Sequence, residues 1–197
     1  MIQWFKDGGN IMWVILFFSL ASWVYIFERA IVFVKEFQAT KKIGRELDEN
    51  EYNPDNISMV LETISSSCSN VIKMICENKG LKKEDTITLA RTQLREETEK
   101  LQRGLTILEV SASIGPLLGL LGTVLGIVQV FAVTAKVGLG NPTALSGGIS
   151  IALNTTVFGL IVAIPASAFL SFYERRIETL VRRIEKYAAL MITKMYK

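Results

Sequence analysis

Charged residues are distributed so that three long windows of the chain contain none. These windows run from residue 8 to 27, from 110 to 135 and from 137 to 173, and the last includes a loop-like portion, Gly138 to Gly147. Without that portion each window holds about twenty or more residues, enough at about 1.5 Å per residue to cross a hydrocarbon core of about 30 Å. The pattern therefore predicts three transmembrane helices.

A cleaved signal peptide is the alternative interpretation of the first window, because Lys6 precedes its apolar run. However, Asp7 offsets that charge, and Glu28 and Arg29 follow the window without a cleavage site of small residues. We interpret the window as a retained membrane anchor.

Between the first two windows the apolar residues recur at steps of three and four, which is typical of an amphipathic helix. We expect this helix to begin at Asp55 and Asn56 and to end near Gly80. Its apolar positions are Ile57, Val60, Leu61, Ile64, Cys68, Val71, Ile72 and Ile75.

A seven-residue repeat follows and runs without proline into the second window. If the helix were unbroken from Lys82 to Thr134 it would be about 80 Å long, and Gly104 is its one weak point. The tail carries a matching repeat, so we expect it to pack on the two preceding helices as a bundle. The repeats are Ile87, Leu94, Leu101 and Leu108, then Ile177, Ile184 and Met191, with Val181, Ala188 and Met195 as a second series.

The predicted fold is an all-α membrane protein with three transmembrane helices and long cytoplasmic helical extensions that form a bundle. We divide the chain into a periplasmic N-terminus with the first span, a cytoplasmic helical region, the second span, a short periplasmic loop, the third span and a cytoplasmic C-terminal helix. Their ranges are 1–27, 28–109, 110–135, 136–148, 149–173 and 174–197.

The positions of the basic residues predict the orientation. The 22 Lys and Arg residues against 19 Asp and Glu residues give a net charge of only +3, too small to indicate nucleic-acid binding. Thirteen basic residues lie between Glu28 and Glu109 and seven lie between Tyr173 and Lys197. Because Lys and Arg favour the cytoplasmic side, we expect the N-terminus outside and the C-terminus inside.

The composition offers little for covalent chemistry. Half of the residues are hydrophobic, 21% are charged and none is His. Without His, Cys68 and Cys76 lack the further ligands that a zinc site needs, and we interpret them as packing residues. No glycine-rich loop follows a strand to bind phosphate. We therefore expect no catalytic residue, metal site or cofactor, and no enzyme activity.

Small residues repeat within the second and third spans. Since lipid provides no hydrophobic force between helices, small residues that allow close backbone approach are a major means of packing them. We therefore predict tight helix packing, with local backbone adjustment at the two prolines. The predicted packing residues are Gly115, Pro116, Gly119, Gly122, Gly126, Gly159 and Pro165.

Threonines share these helix faces, and two interpretations of them remain open. Thr123, Thr155 and Thr156 could return hydrogen bonds to their own helices, as Thr often does in apolar surroundings. Alternatively, several copies of the chain surround a central space, and these hydroxyls line an ion path there.

Two segments carry a resemblance to a known family. Pro116 to Gly126 reads PLLGLLGTVLG, and Gly148 to Ser150 is followed by the segment from Leu153 to Ala166. Together they resemble the signature of the ExbB/TolQ/MotA proton-channel family, and the exit from the first span, Tyr25 to Arg29, is also similar. Three spans with a long first cytoplasmic loop resemble the ExbB and TolQ branch.

The resemblance implies a multi-pass subunit of a motor in the bacterial cytoplasmic membrane. A pentamer of this chain would enclose two helices of an ExbD- or TolR-like partner and convert proton motive force into work. That work would drive outer-membrane transport or envelope maintenance through a TonB- or TolA-like protein. Thr123 and Thr156 coincide with the family's two threonines.

The second and third windows contain no Asp, Glu, Lys, Arg or His. A proton relay through a membrane needs such a group, so the resemblance implies that an Asp on the partner helix supplies it. Many relatives carry Glu where this chain has Ile151. Three explanations remain open: the chain relies wholly on the carboxylate of the partner, Asn154 takes a polar role in its place, or the coupled ion is not H⁺. We predict H⁺, with Na⁺ open.

A second hypothesis is a non-conducting membrane scaffold that assembles through glycine-rich packing. The sequence leaves that alternative open, as it does the choice between the ExbB and TolQ roles.

Overall fold

The computed structural model describes residues 9–53, 57, 61–137 and 142–196. Within these residues the regular structure is helical, and no strand occurs. Its long helices are α1 (Gly9–Glu49), α2 (Ser67–Glu77), α3 (Lys83–Arg103), α4 (Thr106–Val137) and α5 (Pro142–Met195).

Three of these helices, α1, α4 and α5, are long and apolar enough to cross a membrane. For the described residues this result confirms the prediction of a helical fold with three helices that could span a membrane. Many of their large apolar side chains are exposed on the isolated chain, as expected of surfaces that face lipid or other helices. Examples are Phe17, Val24, Leu117, Val128, Phe131 and Ile164.

The chain divides into two compact units. We call the described part of Met1–Phe27 and of Leu105–Ser171 the apolar unit, and the described part of Glu28–Gly104 and of Phe172–Lys197 the charged unit. Helix α4 belongs to the apolar unit, and α2 and α3 belong to the charged unit. Helices α1 and α5 each contribute residues to both.

The amphipathic helix predicted from Asp55 to Gly80 is not continuous. Residues 61–63 are helical, Ile64 and Ser65 are not, and α2 begins at Ser67. Ser66 caps α2, because its hydroxyl accepts from the Ser69 N–H at 3.1 Å and its own N–H donates to the Ser69 hydroxyl at 3.0 Å. Such a reciprocal cap favours a helix start over helix interior. Asp55, Asn56 and Val60 lie outside the described residues.

The helix considered from Lys82 to Thr134 is also interrupted. Helix α3 ends at Arg103, and Gly104 and Leu105 separate it from α4. The Arg29 guanidinium occupies the space that a Cβ on residue 104 would need, and Arg29 Nη1 donates to the Leu101 carbonyl at 3.4 Å. The backbone of Gly104 lies in the right-handed helical region, so a larger residue there would displace the Arg29 side chain without straining the backbone.

Part of the loop predicted before the third span is helical. Helix α5 begins at Pro142, so residues 142–148 are helical, whereas the sequence predicts a loop from 136 to 148. Proline is well suited to the first turn of a helix, because its missing N–H has no partner there in any case. Helix α5 then continues to Met195, so the third window and the tail form one helix.

The charged unit buries the apolar faces that the sequence predicts. Phe33 of α1 stacks on Tyr173 of α5 with ring centroids 5.1 Å apart, and the Tyr196 hydroxyl lies 2.7 Å from that of Thr86 in α3. These contacts confirm that the tail packs within a helical bundle. The residues of the predicted apolar faces that are fully or nearly buried are Val71, Ile72, Ile75, Leu94, Leu101, Ile177, Ile184 and Met191.

Two carboxylates are built into the same unit. Glu97 of α3 is 4% exposed, and its Oε1 accepts from Lys100 at 2.7 Å, Asn70 at 3.1 Å and Gln93 at 3.2 Å. Glu36 of α1 accepts from the backbone N–H at the start of α2 at 3.1 Å. Both carboxylates therefore bind α2, through Asn70 and through its first N–H.

Burial raises the pKa of the Glu36 carboxyl above its ordinary value. The hydrogen bond from the backbone of Ser67 opposes this shift, and the nearby charge of Glu97 adds to it. The raised pKa means that the folded chain binds this proton more tightly than the unfolded chain does. Stability from Glu36 is therefore fully present below the ordinary carboxyl pKa and is lost as the pH rises through the raised value.

We predict that Glu36→Gln raises the temperature of thermal unfolding at neutral pH and weakens its pH dependence. The amide oxygen can still accept from the N–H of Ser67, while the cost of burying a charge is removed. Circular dichroism of the purified chain from pH 5 to 8 would measure both effects. Glu49→Gln, on the exposed surface of the same helix, serves as the matched control. A lower unfolding temperature for Glu36→Gln across this range would contradict the assignment.

We also predict that the two cysteines differ in reactivity. Cys68 is fully buried, and burial is the main cause that raises the pKa of its thiol to about 12. Because the thiolate is the reactive form, Cys68 should resist alkylation in the folded chain, while the half-buried Cys76 reacts. Mass spectrometry after treatment with N-ethylmaleimide should show one adduct, and two after denaturation. Cys76→Ser should remove the first. Equal rates at both thiols would refute the packing role of Cys68.

Candidate functional site

Helices α4 and α5 of the apolar unit approach each other along four glycines of α4. A Cβ built on Gly119 would lie 2.8 Å from the Cα of Thr156, and one on Gly115 would lie 3.0 Å from the carbonyl oxygen of Gly159. Further along α4, a Cβ on Gly126 would lie 2.7 Å from the Cβ of Ala152. At Gly119 the obstructing atom belongs to the backbone of α5, so α4 has no room for a larger residue at this position unless the helices move apart.

The remaining predicted packing residues lie on the same two helices. A Cβ on Gly122 would collide with the Thr155 side chain, and one on Gly159 would lie 3.1 Å from the Cα of Gly119. Pro116 lies inside α4 and Pro165 inside α5, and both are half-buried. Each removes one backbone N–H from its helix, which leaves the carbonyl four residues earlier without that donor.

Two threonine hydroxyls meet where the glycines bring the helices together. Oγ1 of Thr123 lies 3.4 Å from Oγ1 of Thr156 across the helix pair. The Thr123 hydroxyl donates to the carbonyl of Leu120 in its own helix at 2.7 Å. Thr123 is 7% exposed, and Thr156 is half-buried. Thr123 therefore makes the hydrogen bond within its own helix that the structural interpretation of these threonines expects. It also has a polar neighbour, Thr156, on the other helix.

Thr155 is buried more deeply than Thr123 or Thr156. It is 1% exposed, and its hydroxyl lies 2.7 Å from the carbonyl of Ala152 in its own helix and 3.2 Å from that of Gly119 in α4. Its side chain thus connects the two helices. The neighbouring Asn154 is half-buried, and the side chain of Ile151 lies outside the described residues.

The site contains hydroxyls, carbonyls and small apolar groups. Neither the second window nor the third contains an Asp, Glu, Lys, Arg or His. Among the described residues no cluster of three or more potential metal ligands was found. The arrangement can donate and accept hydrogen bonds, but it cannot itself carry a proton as an ionisable group does.

Comparison with known protein families identifies the family of this chain. Residues 47–186 match the model of the MotA/TolQ/ExbB proton channel family, which is more than two thirds of the chain. The chain belongs to this family. Its relatives place it in the ExbB/TolQ branch, and the family is one of channels, not of enzymes.

Three relatives illustrate the range of similarity. Over 76 residues the chain is 43% identical to biopolymer transport protein exbB1 of Vibrio cholerae, a match that covers 38% of this chain and 33% of that protein. Over 181 residues it is 30% identical to a putative biopolymer transport protein ExbB-like 3 of Synechocystis, covering 86% and 84%. Over 184 residues it is 28% identical to the Tol-Pal system protein TolQ of Pseudomonas aeruginosa, covering 86% and 79%.

Two partnered carboxylates of the charged unit, the buried Glu97 and the half-buried Glu36, are polar residues that the sequence pattern did not predict. Glu97 lies three residues after Leu94 and four before Leu101, so it falls on the apolar face of the predicted seven-residue repeat. A Glu at such a position is a signal of a buried, partnered charge. Glu36 lies beyond the first window, in the part of α1 for which no packing face was predicted.

We predict that Gly119→Ala destabilises the packing of α4 on α5 by about 1–3 kcal/mol, because the backbones must separate to admit the methyl group. Thermal unfolding of the purified chain would measure the loss. Gly147→Ala is the matched control, since a Cβ at this position of α5 meets nothing within 4 Å. Equal unfolding temperatures for the two variants would show that the close approach at Gly119 is not needed.

Proposed function

We propose that the chain is an ion-channel subunit of a membrane motor, in which Thr123 and Thr156 line the ion path. The observation that carries this proposal is the pair of hydroxyls 3.4 Å apart on facing helices. Membership of the proton channel family supports it. Asn154 belongs to the proposed path as a further polar residue of α5, next to the threonines in sequence.

A partner must supply the ionisable group. The second and third windows hold no Asp, Glu, Lys, Arg or His, and a proton relay at membrane depth needs such a group. We propose a single-span protein of the ExbD or TolR kind, present in two copies, whose Asp meets the hydroxyls of Thr123 and Thr156. A carboxyl group can donate to or accept from a hydroxyl according to its protonation state, so the pair can serve it in both states.

The apolar surface supports assembly with other helices. Large side chains such as Leu120, Val128 and Phe131 of α4 and Ile164 of α5 are more than half exposed on the single chain. We propose that five copies form a ring in the bacterial inner membrane, with the N-terminus outside and the C-terminus inside. The distribution of the basic residues supports this orientation.

The ring would use the proton motive force to do work on a TonB- or TolA-like protein. Relatives of this chain are named as biopolymer transport and Tol-Pal system proteins, which supports a role in outer-membrane transport or envelope maintenance. H⁺ is the proposed ion. Ile151 takes the position where many relatives have Glu, so the partner carboxylate is the proposed carrier.

We predict that Thr123→Val and Thr156→Val each lower ion flux by about a hundredfold, to a small residual flux, while the oligomer remains intact. Valine keeps the shape of threonine and removes the hydroxyl that the path requires. The measurement is proton uptake, followed with an internal pH indicator, into liposomes that contain the chain and its single-span partner under an imposed potential. Thr134→Val is the matched control, since that hydroxyl bonds the Val130 carbonyl of its own helix at 2.9 Å.

The same measurement tests the alternative of a passive scaffold. Glycine packing and the bond from Thr123 to Leu120 suit a scaffold as well, because they need no ion. Flux that is equal in the wild type, Thr123→Val and Thr156→Val, or absent from all three, would favour the scaffold. Subunit counting by native mass spectrometry would test the ring, and a monomer or a dimer would contradict it.

A further inference from the structure

The carbonyl oxygen of Gly119 is the acceptor that links the two helices of the site. As a helical carbonyl it accepts from the N–H of residue 123, one turn along α4. The Thr155 hydroxyl approaches it from α5 at 3.2 Å, and the Thr123 hydroxyl lies 3.4 Å away. A carbonyl oxygen has two lone pairs, so three donors compete for two places.

Distances decide which donors use these places. The Thr155 hydroxyl lies between the Gly119 carbonyl and the Ala152 carbonyl at 2.7 Å, the geometry of a three-centre bond. The Thr123 hydroxyl is closer to the Leu120 carbonyl, at 2.7 Å, than to that of Gly119. Each threonine proton therefore lies mainly on its own helix, that of Thr155 on Ala152 and that of Thr123 on Leu120, and Gly119 is the longer, secondary acceptor of both. Because the approach of Thr155 at 3.2 Å is shorter than that of Thr123 at 3.4 Å, Thr155 takes the second place on Gly119.

This arrangement fixes the direction of hydrogen bonding at the threonine pair. With its proton bound to Leu120, Thr123 presents its oxygen lone pairs to the other helix, where Oγ1 of Thr156 is 3.4 Å away. A separation of 3.4 Å is long for a bond between hydroxyls, which usually lie about 2.7–2.8 Å apart. The pair can thus accept a hydrogen bond from a third group at little cost.

We propose that Thr155 is a positioning residue of the ion path, whose buried hydroxyl holds the Gly119 carbonyl and so keeps Thr123 as a hydrogen-bond acceptor toward the path. This inference rests on the proposed function. It gives Thr155 a different role from the pore-lining one predicted from the sequence, since a side chain that is 1% exposed between two helices acts on the ion through its neighbours. The ligand that fits an acceptor here is a hydrogen-bond donor, such as a protonated carboxyl group.

The test compares Thr155→Val, which removes the hydroxyl, with Thr155→Ser, which keeps it. In liposomes with the partner, Thr155→Val should lower proton uptake by about tenfold or more, as small displacements of reacting groups do, and Thr155→Ser should stay within about twofold of the wild type. Thr155→Ala, which is smaller and adds no clash, should lose flux as Thr155→Val does. Equal flux in Thr155→Val and the wild type, or equal losses in Thr155→Val and Thr155→Ser, would overturn the proposal.

A double variant separates this inference from the proposed function. If Thr155 acts through Thr123, adding Thr155→Val to Thr123→Val should change the residual flux by less than about twofold, because coupled residues are not additive. Losses that multiply would refute the positioning role. Wild-type flux in Thr123→Val alone would instead refute the proposed function.

A spectroscopic readout does not depend on flux or on the partner. Solid-state NMR of the chain in bilayers, with ¹³C in the glycine carbonyls, reports the hydrogen bonding of the Gly119 carbonyl. Thr155→Val should shift the Gly119 signal, Thr155→Ser should restore it, and the signal of Gly147, where an added Cβ would meet nothing within 4 Å, should not change. A Gly119 signal that is unchanged in Thr155→Val would show that the bond across the helices is absent.

Discussion

The close contact between the backbones of α4 and α5 is the constraint on which the apolar unit depends. In lipid, helices gain little from burying apolar surface, so their association relies on packing and on hydrogen bonds between helices. Glycine at position 119 lets the Thr156 backbone come within van der Waals distance and exposes the Gly119 carbonyl to Thr155. The same residue that permits packing thus also creates the acceptor that positions the polar site.

The charged unit depends on a different constraint, which is the cost of burying carboxylates. An unpaired charge removed from water is expensive, so the buried Glu97 and the half-buried Glu36 both need donors. Glu97 has three side-chain donors, and Glu36 has the first N–H of α2. Because the donors to Glu97 and Glu36 include groups of α2, satisfying the charges also fixes a helix of only eleven residues.

The sequence predicts the three spans and the glycine contact because residue type alone imposes them. A charge-free window has few alternatives to a spanning helix, and glycines at steps of four, three and four permit a contact that larger residues exclude. Helix ends were harder to predict, since they depend on individual partners. The sequence marks Gly104 as a weak point of the helix. It does not predict that the Arg29 side chain fills the space beside Gly104, because that contact depends on how the helices pack.

The role of Thr155 shows where reasoning from sequence ends. Thr155 and Thr156 are neighbours, so they point about 100° apart around α5, and spacing alone does not say which of them faces α4. That choice depends on the rotation of α5, which the contacts at Gly119 and Gly122 set. In the structure Thr155 lies between the helices and Thr156 lies beside Thr123, so one hydroxyl supports the packing while the other remains accessible.

A polar site without a charged side chain also fits the energetics of the membrane. A buried ionisable group is costly at membrane depth, whereas a threonine hydroxyl can satisfy its proton on a helical carbonyl of its own chain. Thr123 and Thr155 both do so at 2.7 Å. The chain can therefore fold its spans without a charge and still offer oxygen lone pairs to a partner. In the proposed motor, the cost of the charge would be borne by the partner helix and only when the two proteins assemble.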